Sequence, residues 1–474
     1  MGYLVAEKVI FDENLIRAYD KSGPRYTSYP TAVQFHEGFG EKDYKAWAEK
    51  TNELSRQNQS HNKSPTPLSL YFHIPFCDTV CFYCGCNKVA TKDRTRAVPY
   101  LQRVHKEIAM QAQLFDSGRP VDQLHWGGGT PTFISHDEMR DLMRVTAEHF
   151  AMRDDDSGEY SIEIDPREVQ EDTLALLREL GFNRLSLGVQ DFDPKVQKAV
   201  NRIQSEEKTF KVLNTARDLG YKSVSVDLIY GLPFQTVESF SRTVDKIIAA
   251  SPDRLSVFNY AHLPAMFKPQ RRINETDLPL PAEKLAILRT TMDKLQQSGY
   301  EFIGMDHFAK PDDELAVAQA RGTLYRNFQG YSTHADCDLV AMGVTSIGKV
   351  GNTYAQNVKT LDHYYERIDA GRLAIFRGIE LNADDVLRRE VITQLICHFR
   401  LNFEAIEHQF GINFREYFAL ELKELAAMQS DGLLELKADG VQVLPVGRLL
   451  IRNVCMVFDR YLRASKEQKF SKVI

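Results

Sequence analysis

Six short runs rich in β-branched and aromatic residues alternate with amphipathic helical stretches in the first half of the chain. Successive runs begin about 25 to 50 residues apart, which leaves room for a crossover helix between them. Strands joined in this way pair in parallel. The sequence therefore predicts an α/β fold built on a partial or complete parallel (β/α) barrel, with strands at 68–74, 121–126, 160–164, 184–189, 224–230 and 254–260.

The segment before the first predicted strand, residues 1–66, is expected to form an N-terminal helical arm and a linker. Helices are predicted at 13–19 and 41–54. Between them, residues 22–31 hold too much proline, glycine and serine for regular structure, so we interpret them as an ordered arm. The polar stretch after the second helix contains two prolines and is typical of an exposed linker.

The rest of the chain is expected to divide into the barrel with an extension, residues 67–380, and a C-terminal domain, residues 381–474. Within the extension, residues 301–351 are predicted to be largely irregular, with an edge strand that closes the barrel. The C-terminal domain is predicted to be mainly helical, with a small hairpin at 431–444.

Composition limits the partners of the chain. The 474 residues are 43% hydrophobic, which is enough for a large core, and the formal net charge of -6 provides no basic field for nucleic acid. The first twenty residues are too charged for a signal peptide, and no run of about 18 apolar residues occurs. We expect a soluble, cytoplasmic monomer without nucleic-acid or membrane partners.

The residues that follow the predicted strands are chemically unusual. Glu163, Gln190 and Asp227 are predicted at successive strand ends, and a glycine-rich turn at 127–130 follows the second strand. In α/β barrels the carboxyl ends of the strands form one rim, where active sites are found. Each residue taken singly fits a loop cap or a tight turn equally well. Together they predict a shared active site at the rim.

Four of the seven cysteines, Cys77, Cys81, Cys84 and Cys86, fall within ten residues directly after the first predicted strand. Thiolates at 77, 81 and 84 can bind three irons of a cubane cluster and leave the fourth iron open. The alternative is a zinc site that uses Cys86 as a fourth ligand. The remaining cysteines, Cys337, Cys397 and Cys455, are interpreted as buried structural thiols.

The motif Tyr71-Phe-His-Ile-Pro-Phe-Cys77-x3-Cys81-Phe-Tyr-Cys84 resembles the signature of radical S-adenosylmethionine enzymes. The arm at 22–31 and the motifs at 86–88, 124–132 and 163–168 are similar to those of the oxygen-independent coproporphyrinogen III oxidase family. This resemblance continues over nearly the whole chain. It favours the cluster over zinc.

The resemblance implies that Cys77, Cys81 and Cys84 hold a [4Fe-4S] cluster whose open iron chelates S-adenosylmethionine. The family's reaction is the oxidative decarboxylation of two propionates of coproporphyrinogen III to vinyl groups, through a 5'-deoxyadenosyl radical, giving protoporphyrinogen IX. An electron-donor protein would reduce the cluster. Matching the family residue by residue implies these cofactor contacts: Tyr71, Tyr83, Gly128, Gly129, Thr130, Glu163, Gln190, Arg202, Asp227, Ala261 and Ile347.

Two further residues are candidates for the reaction itself. Arg25, on the arm, is a candidate to bind a substrate carboxylate, although it also fits a solvated loop arginine. Cys86 is a candidate donor of a proton or hydrogen atom near the radical, and its other interpretation is simple packing. Two rivals remain open: the haem-chaperone branch of the superfamily, which binds haem, and a zinc-stabilised scaffold without chemistry.

Overall fold

The fold was analysed in a computed structural model, which describes residues 8–61 and 63–464. Local capping signals set many of its helix ends; for example, Ser135 and Glu138 form reciprocal hydrogen bonds that cap the helix beginning at His136. In chain order the helices are α1 (Glu13–Ala18), α2 (Glu41–Ser60), α3 (Ala97–Ala112), α4 (His136–His149), α5 (Glu171–Glu179), α6 (Pro194–Ala199), α7 (Glu206–Asp218), α8 (Val237–Ala250), α9 (Pro281–Gln297), α10 (Glu314–Arg321), α11 (Leu361–Asp369), α12 (Ala383–His398), α13 (Phe403–Phe410), α14 (Phe414–Tyr417), α15 (Ala419–Ser430), α16 (Ile451–Val457) and α17 (Arg460–Ala464).

The strands are β1 (Leu68–Ile74), β2 (Phe76–Cys77), β3 (Val89–Ala90), β4 (Pro120–Gly128), β5 (Ala151–Met152), β6 (Glu159–Ile164), β7 (Arg184–Gln190), β8 (Ser223–Tyr230), β9 (Arg254–Asn259), β10 (Glu301–Gly304), β11 (His307–Ala309), β12 (Tyr325–Asn327), β13 (Gly330–Ser332), β14 (Asp338–Met342), β15 (Ile347–Val350), β16 (Thr353–Asn357), β17 (Ile375–Glu380), β18 (Arg400–Asn402), β19 (Leu434–Leu436) and β20 (Gly440–Val443).

Seven parallel strands form the centre of one large sheet, in the order β14-β1-β4-β6-β7-β8-β9. Antiparallel strands extend it at both ends, with β11 and β10 beside β9, and β15 to β17 beside β14. Across the two described ranges no pairing joins β10 to β17, so the sheet is an open, partial barrel. The predicted fold class is confirmed.

The two faces of the parallel sheet differ in polarity. On β8, for example, Val224, Val226 and Leu228 are fully buried in the hydrophobic core. The alternate residues Ser225 and Asp227 line a cavity of about 210 Å³ inside the barrel, which we call the lumen. Because parallel strands covered on both faces are usually apolar on both, a polar inner face indicates space kept for a polar ligand.

The N-terminal arm is held between the barrel and the C-terminal domain. Arg452 on α16 donates hydrogen bonds to the backbone carbonyls of Gly23 and Pro24. Tyr26 donates to the Asp459 carboxylate over 3.0 Å, and Arg25 pairs with Asp306 over 2.6 Å. The interpretation of residues 22–31 as an ordered arm is therefore confirmed.

Two secondary-structure predictions were wrong. Helix α2 continues to Ser60, six residues into the predicted linker, because Ser55 and its neighbours pack their buried face against the barrel. Residues 301–351 are not largely irregular, and their strand β14 pairs in parallel with β1 inside the sheet instead of closing an edge. The predicted C-terminal hairpin is confirmed as β19 and β20, and β18 pairs beside β20.

Over the described parts of the chain, no helix is both long and apolar enough to cross a membrane.

Candidate active site

The cysteine loop leaves the carboxyl end of β1, where prediction placed it. Cys77 ends β2, which pairs with β3 on the far side of the loop. Cys77 and Cys81 are buried, Cys84 is half-buried and Cys86 is exposed, and all of them are free thiols. Backbone bonds from Val89 and Thr91 to Pro75 and Cys77 close the base of the loop. The loop thus holds its cysteine side chains in fixed positions at the rim.

Hydrogen-bond donors surround the three sulfurs of the loop. Thr130 Oγ1 lies 3.6 Å from Cys77 Sγ, and the Cys86 amide donates to Cys84 Sγ over 3.4 Å. Arg202 and Arg167 donate to Cys81 Sγ over 3.6 and 3.8 Å. Donors aimed at sulfur stabilise the thiolate form that metal binding needs and tune the potential of a bound cluster.

The thiols of the loop differ in acidity. Burial raises the pKa of Cys77 to about 11. A hydrogen bond with the Cys86 thiol, helped by the Lys88 ammonium, lowers the pKa of Cys84 to about 5, and the same bond raises that of Cys86. Cys84 is therefore a thiolate near neutral pH, whereas Cys77 needs a bound cation to lose its proton.

The spread of the sulfurs does not match zinc. Sulfur ligands of one zinc ion lie about 3.8 Å apart. In the part of the chain that the structure describes, only one group of three or more His, Cys, Asp or Glu ligand atoms lies within 4.8 Å of one another. That group is at residues 334–337, away from the cysteine loop. At least one of the distances between the sulfurs of Cys77, Cys81 and Cys84 therefore exceeds 4.8 Å, which is longer than in a tetrahedral zinc site.

Gly128 and Gly129 let the end of β4 pack directly on the cysteine loop. A Cβ on Gly129 would lie 2.6 Å from the Phe76 carbonyl oxygen and 2.7 Å from that of Pro75. Gly128 has φ +116°, and a Cβ there would lie 2.8 Å from the His73 ring. The glycines are thus required by the protein's own backbone, and they bring Thr130 to Cys77.

A chain of side chains links β1, β4 and β6 below the glycines. Tyr71 stacks on His125 with 5.8 Å between the ring centroids, and its hydroxyl lies 3.1 Å from His73 Nδ1. Glu163 Oε2 accepts the Gly128 amide over 3.1 Å, and His125 Nε2 lies 3.6 Å from Oε1. Burial alone would raise the pKa of Glu163, but His125 and the Gly128 amide lower it, so the carboxylate is charged.

Arg202 joins the rim to the cysteine loop. It pairs with Asp165 over 2.9 Å and donates to the Gly188 carbonyl over 2.6 Å. Its Nε and the Oε1 of Gln190 are buried and lack hydrogen-bond partners among the described residues. Gln190 also has φ +70°, which is rare for a residue with a side chain. Unpaired buried polar atoms beside the loop are suited to form hydrogen bonds with a polar ligand.

Asp227 lies deeper than predicted. It is in the middle of β8, in register with Gly188 and Ser256, so it faces the lumen and does not end the strand. Ser186 donates to it over 3.0 Å. Burial, followed by the nearby Glu163 charge, raises its pKa to about 6. The prediction of a strand-end position was wrong because sequence periodicity marks the face of a strand but not the depth of a residue.

The other predicted contacts lie around the same rim. Tyr83 packs with Tyr260 and Ile273 beside the loop, and its carbonyl accepts the Gln270 side-chain amide over 2.9 Å. Ala261 is two residues beyond the end of β9, and Ile347 begins β15 on the other side of the barrel. The predicted cofactor contacts therefore come from strands on both sides of the cysteine loop, whereas Arg25 lines a separate small cavity beside Asp306.

A family model of the radical SAM superfamily matches residues 71–247, and one of the HemN C-terminal domain matches residues 381–450. The oxygen-independent coproporphyrinogen III oxidase of Pseudomonas aeruginosa is 56% identical over 468 residues, covering 99% of this chain and 100% of that protein. The Escherichia coli enzyme of that name is 52% identical over 469 residues, covering 99% of both chains.

The chain belongs to the oxygen-independent coproporphyrinogen III oxidase family. A solved structure of coproporphyrinogen III oxidase (HemN) from Escherichia coli, described as a radical SAM enzyme, superposes with a TM-score of 0.90 at 50% identity, covering 96% of this chain and 100% of that chain. Similarity of this extent includes the arm, the barrel and the C-terminal domain.

Sequence reasoning missed several residues of this family member's rim. Asp165 and Arg167 belong to the motif at 163–168, of which only Glu163 was predicted as a site residue, although an acid and an arginine two residues apart after a strand favour an ion pair. Asn259 Oδ1 and Gln329 Nε2 are buried and unpaired within the described structure. Gln329 lines the lumen from the turn before β13, a position that no local pattern indicates.

Proposed function

We propose that this protein converts coproporphyrinogen III to protoporphyrinogen IX without oxygen, by oxidative decarboxylation of two propionate side chains. The observation that carries the proposal is the loop of free Cys77, Cys81 and Cys84 at the end of β1, beside a lumen lined by charged and polar residues. Whole-length similarity to oxidases of this name supports the same reaction.

The cofactors of this chemistry are a [4Fe-4S] cluster and S-adenosylmethionine. We assign the cluster to the three cysteines, because they are free thiols with hydrogen-bond donors aimed at each sulfur. When bound, the cluster and S-adenosylmethionine supply a radical that abstracts a hydrogen atom from a propionate. The unpaired Gln190 Oε1, Arg202 Nε and Asn259 Oδ1 fit the polar groups of such a ligand.

The protein's own carboxylates bind and orient the cationic cofactor. Glu163 is charged and fixed by Gly128, so it offers a rigid acceptor to an ammonium or hydroxyl group. Asp227 on β8 adds a second acceptor, two strands along the sheet from Glu163 on β6. We propose that the aromatic rings of Tyr71, on β1, and Tyr83, within the cysteine loop, also contact the cofactor. We propose that Gly128, Gly129, Thr130, Ala261 and Ile347 complete the binding site through backbone and apolar contacts.

We propose that the arm and the C-terminal domain help to exclude water from the lumen. Radical chemistry needs this enclosure, because a carbon radical reacts with any nearby hydrogen donor. The bonds of Arg452 to Gly23 and Pro24, and of Tyr26 to Asp459, fix the arm across the barrel. We propose 1–66, 67–380 and 381–474 as the units that cooperate in this enclosure.

Arg25 is our candidate to bind a substrate propionate. It is half-exposed and already paired with Asp306 over 2.6 Å, so a propionate would compete with that carboxylate for the guanidinium. Replacing Arg25 with Ala should raise KM more than it lowers kcat. Arg17→Ala is the matched control, since Arg17 forms an exposed pair with Glu13 on the same arm. Equal KM in both variants would remove Arg25 from the site.

Cys86 is our candidate hydrogen or proton donor. Its thiol is exposed within the cysteine loop and lies outside the three assigned cluster ligands. We further propose that an electron-donor protein reduces the cluster, and that the chain acts as a cytoplasmic monomer without nucleic-acid or membrane partners. The acidic net charge of -6 supports the absence of a nucleic-acid partner.

Product analysis under anaerobic conditions tests the proposed function. Cluster-loaded protein, S-adenosylmethionine, a reductant, a one-electron acceptor and coproporphyrinogen III should yield protoporphyrinogen IX and carbon dioxide, and the acceptor takes the electron that each decarboxylation releases. Stable binding of haem without decarboxylation would favour the haem-chaperone alternative instead. Zinc in place of iron and acid-labile sulfide in the purified protein would support the scaffold alternative.

A further inference from the structure

The segment between β13 and β14 brings three different metal-ligand types together. The imidazole of His334, the carboxylate of Asp336 and the thiol of Cys337 have ligand atoms within 4.8 Å of one another. All three come from four consecutive residues of one turn. In a tetrahedral zinc site, ligand atoms of these types are separated by about 3.3 to 3.8 Å, and the separations here are no more than 4.8 Å.

The burial of the three residues suits a bound ion at the surface of the barrel. Cys337 is buried at 5% exposure, His334 is half-buried and Asp336 is exposed. A metal there is shielded on the sulfur side and open to water on the carboxylate side, where a water molecule can be the fourth ligand. Cys337 is also a free thiol, so no disulfide uses its sulfur.

A buried carboxylate orients the imidazole. Glu159, the first residue of β6, places Oε2 3.5 Å from His334 Nε2. Glu159 is itself held by Gln123 over 3.2 Å and accepts from Thr333 over 3.3 Å. A carboxylate beside a metal-binding histidine fixes the ring and raises its basicity. This contact lies outside the 334–337 turn and provides the support that metal-binding histidines usually have.

The turn lies at the opposite end of the barrel from the cysteine loop. Asp338, next to Cys337, pairs with Leu68 at the start of β1, whereas the cysteine loop follows the end of that strand. A strand of this length spans about 20 Å. Side chains at the amino ends of barrel strands serve stability more than catalysis. A metal here would therefore tie the β13–β14 turn to the base of β6.

We propose that His334, Asp336 and Cys337 form a zinc site, with Glu159 positioning the imidazole. Zinc is the ion that best fits one nitrogen, one oxygen and one sulfur ligand in a tetrahedron. Binding releases the Cys337 thiol proton to solvent as the zinc–sulfur bond forms, and no electron is transferred. The site does not depend on the proposed reaction.

Zinc binding by the cluster-loaded protein tests the proposal. The holoprotein is incubated anaerobically with zinc sulfate, desalted and analysed for zinc and iron. We expect one zinc per chain with unchanged iron. Cys337→Ser and His334→Asn should each lower zinc affinity at least about tenfold, and Glu159→Gln should lower it by about 10- to 100-fold. Cys397→Ala and His149→Asn are controls for the loss of a thiol and of an imidazole elsewhere in the chain. Both should bind zinc with the affinity of the unchanged chain.

Zinc-edge X-ray absorption provides a readout that does not depend on variant folding. One sulfur at about 2.3 Å with nitrogen and oxygen ligands near 2.0 to 2.2 Å is expected. Zinc should also raise the Tm of the holoprotein by a few degrees at saturation. Three or four sulfur ligands would instead place zinc in the cysteine loop and overturn the proposal. Equal zinc content in Cys337→Ser and the unchanged chain would overturn it as well.

Discussion

Arg202 places Nη1 3.6 Å from Cys81 Sγ while the same nitrogen pairs with Asp165 over 2.9 Å. The pair connects the carboxyl end of the barrel to one of the three sulfurs assigned to the cluster. Because Arg202 is buried, its charge is poorly screened by solvent. The arginine therefore holds Cys81 in position and stabilises negative charge on its sulfur.

Replacing Arg202 with Met should lower the midpoint potential of the cluster. Loss of a nearby cation and of a hydrogen bond to sulfur disfavours the reduced, more negative state, by an expected shift on the order of tens of millivolts. Arg202→Lys keeps the charge and should shift the potential less. Redox titration monitored by electron paramagnetic resonance measures the midpoint potential of the cluster in both variants. Equal potentials in Met and Lys variants would mean that the charge has no effect on the cluster.

Gly129→Ala should disrupt the cysteine loop. Its Cβ would collide with the backbone carbonyls of Phe76 and Pro75, which cannot move without displacing Cys77. We expect a loss of about 1 to 3 kcal/mol in the free energy of unfolding and a lower iron content. Gly118→Ala is the control, because no heavy atom lies within 4 Å of the Cβ position there. Denaturant titration and iron analysis of the two variants measure the difference.

Cys86→Ser should separate cluster binding from turnover. Cys86 lies outside the assigned ligand set, so the variant should keep its iron and sulfide but lose most of its activity. Cys84→Ser should lose the cluster itself. Iron analysis and anaerobic turnover of both proteins are the measurements. Full turnover by a cluster-loaded Cys86→Ser protein would dismiss the proposed donor role.

The affinity for S-adenosylmethionine should fall as the pH falls through about 6. The pKa of Asp227 is raised to about 6, chiefly by burial, so its carboxylate is neutralised below that pH and no longer attracts a cationic ligand. Below pH 6 the loss should approach tenfold per pH unit. Equilibrium binding of labelled S-adenosylmethionine to cluster-loaded protein measures this dependence, and Asp227→Asn should flatten it.

The raised pKa of Asp227 should also affect the stability of the protein without S-adenosylmethionine. The folded state keeps the Asp227 proton up to about pH 6, whereas the ordinary pKa of an exposed aspartate is 3.8. The free energy of unfolding should therefore decrease as the pH rises between these values, through this residue alone. Asp227→Asn should remove that part of the pH dependence in denaturant titrations.

Local signals made much of the fold predictable. Strand β1 was predicted over its full extent because prolines at 67 and 75 flank an apolar run. Strand β14 was misassigned because it pairs with β1, and the paired residues are about 270 positions apart along the chain. No crossover helix directly before β14 indicates a parallel pairing. Short-range periodicity identifies an element but not its neighbours in the sheet.

The candidate site was predictable in composition but not in geometry. Motif spacing singled out the three cysteines, and the family resemblance supplied the cofactor contacts that are proposed around them. The contacts of Arg202 with Asp165 and of Arg25 with Asp306 join residues far apart in sequence, so neither was predicted. Cys337 was correctly predicted to be buried, but its approach to His334 and Asp336 needed the conformation of the turn.

The proposed reaction stands or falls with the formation of 5'-deoxyadenosine by anaerobically reduced, cluster-loaded protein. We expect 5'-deoxyadenosine to increase with added coproporphyrinogen III and to accompany the release of carbon dioxide. The Cys77→Ala protein, which lacks a proposed ligand of the cluster, should form none. If a fully loaded, reduced protein does not cleave S-adenosylmethionine in the presence of coproporphyrinogen III, the proposed reaction is wrong.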